Sequence, residues 1–158
     1  AQQALAFGLQ SLGEASEADR AFEHALGAYE RALWAVGDQP ALTLRATLAH
    51  NQAGCLARRA ELGADVGLLD EAVDALKREL SDLSPGVNPV GWAVAQLNLA
   101  RLYEARAQLP GAHGDERASA VLALSAALDV FGEHGLRSLS DPAAQGLDRL
   151  TVAHAAAS

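Results

Sequence analysis

What is scarce in this chain narrows it first. A single cysteine, Cys55, stands among 158 residues, so no disulfide can form within the chain and a disulfide-stapled secreted scaffold is excluded. Aromatics make up only 4% of the residues and isoleucine is absent. Strand-rich domains lean on Val, Ile, Thr and aromatics, so an apolar half built chiefly from Ala and Leu favours helices. No run reaches the ~20 apolar residues of a membrane span, because charges or prolines interrupt each one. Positive charge is also short, with 12 Lys and Arg against 20 Asp and Glu and a net charge of −8. That balance works against a nucleic-acid or anionic-membrane surface, which calls for a basic field. A basic or neutral partner fits better. No charged-then-apolar leader opens the sequence, and the expected location is cytoplasmic.

What is present is punctuation at regular intervals. Proline, glycine and capping residues divide the chain into seven helical segments, and nothing alternates with period two for long enough to be a strand. The first segment runs from about Gln2 to Leu12 and stops at Gly13. The second starts at Ser16, read as an N-cap with Asp19 three residues on, and reaches Val36. The third covers about Pro40 to Leu62 and ends at Gly63; the fourth runs from Leu68 to Leu83, before Ser84-Pro85-Gly86. Asn88-Pro89 reads as a cap followed by a first-turn proline, opening a fifth helix that ends near Leu109. The sixth spans Asp115 to Phe131, and Asp141-Pro142 is expected to open a last helix reaching Ala155.

Seven segments in pairs call for a test of internal repetition. Ala25, Ala28, Tyr29, Ala32 and Leu33 recur 47 residues on as Ala72, Ala75, Leu76, Glu79 and Leu80, and 48 further as Ala120, Ala123, Leu124, Ala127 and Leu128. The preceding helices repeat as well: Ala4-Leu5-Ala6, Asn51-Gln52-Ala53 and Asn98-Leu99-Ala100 are 47 apart. Within each unit the two small markers are separated by 19, 19 and 20 residues (Ala6 to Ala25, Ala53 to Ala72, Ala100 to Ala120). Alanine facing alanine lets two antiparallel backbones approach toward the lower end of the ~8–10 Å range, with large residues filling the grooves on either side. Each pair leaves an apolar face uncovered, so the pairs are expected to stack.

These residues resemble the tetratricopeptide repeat. Asn98-Leu99-Ala100-Arg101-Leu102-Tyr103 is similar to the first-helix signature of the kinesin-light-chain type. The stretch from Leu69 to Leu80, with its Glu71-Ala72 pair, and Ala25 to Leu33 are similar to the second-helix signature. A 47-residue period exceeds the ~34 residues of the standard unit, and Leu62-Gly63 followed by Leu69-Asp70-Glu71-Ala72 resembles a bacterial variant with a longer linker. The resemblance covers about Ala4 to Phe131, and the third unit departs from it where Ser119 replaces the expected Glu. HEAT-type repeats compete on period alone, and the residue pattern favours the tetratricopeptide reading. The resemblance implies one all-α domain, a right-handed superhelical stack of three antiparallel helix pairs over residues 2–37, 40–84 and 88–133. A helix over 142–156 caps it, making seven helices.

Signatures of catalysis are missing where spacing would show them. No Glu precedes any of the five histidines by three residues, and no His-Glu-x-x-His, Gly-x-Ser-x-Gly or phosphate-binding glycine loop occurs. His113, Asp115 and Glu116 read as a solvated loop in preference to a weak metal site, and Cys55, between Gly54 and Leu56, reads as a small buried residue. Trp34 and Trp92 flank unit boundaries and are expected to wedge neighbouring pairs apart; Tyr103 fills a large-residue slot. No cofactor or metal is implied, and the expectation is a binding protein and not an enzyme.

In the family that the sequence resembles, first helices line a concave face and a recurring Asn holds an extended peptide. Carried over by position, this nominates Asn51 and Asn98, whose amides can both donate and accept. His50 adjoins Asn51, while Arg58 and Arg101 are spaced to meet a partner's carboxylate. The first unit has Ala4 at the Asn position, so the ladder is short. The alternative for these residues is that the Asn side chains bond to neighbouring helices and the arginines pair with surface acids. The expected function is therefore a non-catalytic scaffold holding a peptide or partner helix. Its competitor is the sensory or effector-binding portion of a larger bacterial regulator, and self-association through an uncovered end is compatible with both.

Overall fold

The computed structural model describes residues 15–36 and 42–156, and these are helical throughout apart from short connections. Six helices lie among them: α1 (Ala15–Val36), α2 (Leu42–Gly63), α3 (Val66–Asp82), α4 (Pro89–Arg106), α5 (Glu116–Glu133) and α6 (Arg137–Ala156). The helix expected over Gln2 to Leu12 lies outside the described residues. The fold is all-α, as the composition indicates.

Local chemistry sets most of the boundaries. Asp65 caps α3, its Oδ1 accepting the Leu68 N–H at 3.0 Å. Asn88 caps α4 in the same way through Gly91 N–H, with Pro89 in the first turn, as the Asn-Pro pair predicts. Helix α5 ends in a left-handed residue, Gly135 at φ +65°, with Leu136 N–H donating to the Phe131 carbonyl at 2.9 Å. Helix α2 ends the same way, Asp65 N–H reaching the Ala60 carbonyl at 2.9 Å, but its left-handed residue is Ala64 at φ +50° and not the neighbouring Gly63.

Two expected caps fall inside their helices. Helix α1 already includes Ala15, the first described residue, so Ser16 lies within the helix and is not its cap. Helix α6 begins at Arg137, so Pro142 lies inside it and Asp141 is no N-cap. Leu136 fills the capping role, its carbonyl accepting from the Leu139 and Ser140 N–H groups and from the Ser140 hydroxyl. Proline there removes one backbone hydrogen bond early in the helix, and the apolar seating of Leu139 and Ala143, both in the core, offsets that loss.

Helix α4 is the hub. It packs along α2, α3 and α5 and touches α6 over a shorter stretch, while α1 lies on α2 and α6 lies on α5. The largest core joins Val94, Leu97 and Ala100 of α4 to Ala120, Leu124, Ala127 and Phe131 of α5 and to Leu139 of α6. A second joins Ala57 and Ala60 of α2 to Leu69 and Val73 of α3 and Leu102 of α4. A third sets Ala18, Ala21, Phe22 and Ala25 of α1, spaced as one helical face, against Cys55 of α2. Phe22 and Phe131 are fully buried, each contributing about 1.5–3 kcal/mol of transfer free energy.

Ion pairs join the same helices at their edges. Arg59 of α2 binds Asp19 of α1 at 2.8 Å. Arg106, buried at the end of α4, donates to Asp70 of α3 at 2.9 Å and to the Gly111 carbonyl at 3.0 Å, tying the α4–α5 connection to α3.

The alanine register holds in one pair and opens in another. Ala100 and Ala120 are both fully buried in one core, as close helix approach requires. Ala53 and Ala72, their counterparts 47 and 48 residues earlier, instead line an open cleft. Helices α2 and α3 meet near their connecting turn, through Ala57, Ala60, Leu69 and Val73, and diverge beyond it. At this opening the register places Glu79, which is exposed, where the next pair has Ala127, which is fully buried. Closing α2 on α3 would bury that carboxylate without a partner, at a cost of several kcal/mol. Trp34 is likewise no wedge, being 87% exposed, whereas Trp92 and Tyr103 do pack against the cores.

Candidate functional site

A concavity of about 300 Å³ opens across α2, α4 and α6. Its polar lining consists of His50 and Asn51 from α2, Arg101 and Glu104 from α4, and Gln145 and Arg149 from α6. Gly54 contributes bare backbone on the α2 side, where a β-carbon would meet no other atom within 4 Å. Gly146 sits on the opposite wall for a different reason, since a β-carbon there would lie 3.0 Å from Leu124 Cδ1. The first glycine leaves space in the groove, and the second lets α6 seat closely on α4 and α5.

Charge in and beside this groove is neutralised within the chain. Glu104 is buried and receives Arg149 Nη2 at 3.1 Å, linking α4 to α6. Glu61 of α2 lies between Arg58 at 2.7 Å and Arg101 at 3.3 Å, linking α2 to α4. The His50 imidazole donates from Nδ1 to Asn98 Oδ1 at 3.2 Å. Burial and the neighbouring Arg101 charge lower the His50 pKa below 6.5, against the opposing effect of that hydrogen bond, which keeps the ring neutral at physiological pH.

Comparison with protein-family models, curated proteins and solved structures finds no match to this chain. Function must therefore be argued from the geometry.

The nominated residues divide between two faces. His50, Asn51 and Arg101 come together in the groove. Arg58 is outside the groove lining and turns to Glu61, so both arginines meet a carboxylate of this chain. Asn98 is 4% exposed, bonds to His50 across the α2–α4 interface, and lines the cleft between α2, α3 and α4 instead of the groove.

Glu104, Gln145 and Arg149 were not nominated. Glu104 and Arg149 carry no repeating signal, but adding 47 to Asn98 lands on Gln145, so the amide ladder runs Asn51, Asn98, Gln145.

Elsewhere, polar groups are occupied structurally. Both Glu116 oxygens accept backbone N–H groups, from His113 at 2.6 Å and Gly114 at 2.8 Å. Burial pushes the Glu116 pKa upward, yet those bonds and the His113 charge bring it below the ordinary value. Cys55 is fully buried with Sγ 3.6 Å from the Phe22 carbonyl, and burial raises its pKa to about 11. A thiol so placed is a poor nucleophile. Among the described residues no three His, Cys, Asp or Glu side chains gather as a metal site would need, no buried side-chain polar atom lacks a partner, and no helix is long and apolar enough to cross a membrane.

Proposed function

We propose that the chain is a non-catalytic scaffold of the tetratricopeptide kind that holds an extended peptide in the groove across α2, α4 and α6. One observation carries this reading: alternate helices are neighbours, α2 packed along α4 and α4 touching α6 over a short stretch, and the groove opens where they meet. That neighbour pattern is the one expected when first helices of successive units form one layer, with α1, α3 and α5 as second helices behind it. The right-handed superhelical sense is carried over from the resemblance. In this scheme α6 acts as the first helix of a further unit, capping the stack while adding Gln145 to the binding face.

The lining suits a peptide backbone. Asn51 and Gln145 present amides able to satisfy both N–H and C=O groups of an extended strand, and Gly54 gives room for close approach. Side-chain choice would fall to the paired charges: a basic residue of the peptide can share Glu104 with Arg149, and the overall charge of −8 favours such a partner.

The test is selection of binders from a random peptide library, followed by binding to variants. Gly54→Phe places a ring in open space and Asn51→Ala removes the amide, and both are expected to retain helicity and cooperative melting. Each should weaken selected peptides at least tenfold. Asn98→Ala is unsuitable, because it also breaks a buried contact with His50. Peptides that bind both variants as tightly as the parent would remove the groove as the site.

A further inference from the structure

The cleft between α2, α3 and α4 is a second concavity, on the other side of Asn98 from the peptide groove and larger, at about 580 Å³. Its walls are mainly apolar, with Ala53 and Leu56 from α2, Ala72 and Leu76 from α3, and Val94 and Leu102 from α4. Volume and lining fall in the roughly 300–1,000 Å³, predominantly apolar class that takes small organic ligands.

Two polar features stand out against those walls. Glu79 lines the cleft and forms no ion pair among the described residues. It stands at the register position that is a buried alanine, Ala127, in the next pair, so the open pair carries a carboxylate where the closed one carries a methyl group. Asn98 lies deeper, 4% exposed. His50 holds one end of its amide, and the other end, which is not itself fully buried, has no partner among the described residues. Whichever way the amide is turned, one hydrogen-bonding end is fixed by protein and the other is left for the cleft.

We propose that this cleft binds a small amphipathic amine, its apolar body between α2 and α3 and its ammonium group on Glu79. An apolar body would shield the alanine and leucine walls from water. An ammonium group would supply the partner that Glu79, exposed at the edge of the cleft, lacks, through a charge-assisted hydrogen bond stronger than a neutral one. The chain's net charge of −8 also enriches organic cations over anions near the opening. This site is independent of the peptide groove: it shares none of the groove's polar lining.

The experiment is calorimetric titration of the full chain with octylammonium, octanol and octanoate, three probes with one apolar body and different heads. Octylammonium is expected to bind at least tenfold more tightly than octanol, and octanoate more weakly than either. Glu79→Gln should bring octylammonium down to the level of octanol while leaving octanol unchanged. Ala53→Leu fills the α2 wall and should abolish both; Ala75→Leu, at an exposed α3 position lining the same cleft, serves if the first variant melts without cooperativity. Amide chemical-shift changes on adding octylammonium should cluster at Ala53, Ala72, Ala75 and Val94. The proposal is overturned if octanoate binds as tightly as octylammonium, if Glu79→Gln has no effect, if the shifts map to His50 and Arg149 instead, or if no probe binds.

Discussion

Replacing the two groove glycines by alanine separates helix propensity from packing within one molecule. Gly54 lies inside α2 and Gly146 inside α6, so on propensity alone each change to alanine should stabilise by about 0.5–1 kcal/mol, largely by reducing the freedom of the unfolded chain. At Gly54 nothing stands within 4 Å of the added carbon and the gain should be realised in full. A domain of this size gains roughly 2–4 °C in Tm per kcal/mol, so Gly54→Ala should melt about 1–4 °C higher. At Gly146 the new carbon would lie 3.0 Å from Leu124 Cδ1 and 3.2 Å from Glu104 Oε1. Leu124 is buried and Glu104 is held by Arg149, so neither can withdraw without disturbing the α4–α5–α6 core. Overpacking of this kind costs about 1–3 kcal/mol, which leaves Gly146→Ala between neutral and about 2.5 kcal/mol destabilised. Urea midpoints read by circular dichroism, with unchanged m-values, measure both. Equal stabilisation by the two changes would refute the close seating of α6 on α4 and α5.

Three further outcomes follow from local geometry. Ala64 holds the left-handed position that Gly135 occupies at the end of α5, so Ala64→Gly should raise stability by about 0.5–1 kcal/mol in the same urea assay, whereas Gly63→Ala should bring no comparable loss. Cys55, buried with a pKa near 11, should react with a disulfide reagent at pH 8 orders of magnitude more slowly than in urea, and Phe22→Ala should speed the native reaction. His50 has a folded pKa below 6.5, so its stabilising contribution is complete above about pH 6.5 and is lost as pH falls through the lower folded value. Melting temperature should therefore fall more steeply between pH 7 and 5 in the parent than in His50→Gln.

The all-helical class and most helix ends were legible because their causes are local. Asn88-Pro89 and the glycines after α5 act on backbone groups within a few residues of themselves; Asp65 does so too, and starts α3 at Val66, two residues before the expected Leu68. Pro142 misled for the same reason: it carries a strong local start signal, but the apolar contacts of Leu139 and Ala143 extend the helix one turn upstream. Of the nominated binding residues, His50, Asn51 and Arg101 share one groove, while Arg58 and Asn98 turn elsewhere. Helical spacing gives the face of a residue only approximately, and a charged side chain takes the nearest opposite charge, here Glu61.

By itself the sequence determined the helices, their 47-residue register and the amide ladder, since these rest on periodicity and on chemistry between near neighbours. It also holds two departures from the plain repeat, Gln145 extending the ladder into the last helix and Glu79 interrupting a small-residue position. Only the tertiary structure decided what those departures do. Whether an unpaired carboxylate is buried, neutralised or given a cleft depends on how far α2 and α3 can part while α4 holds both, and that balance involves residues some 50 positions apart. Likewise, Asn98 became a buried link between groove and cleft because the packing of α4 against α2 placed it within reach of His50.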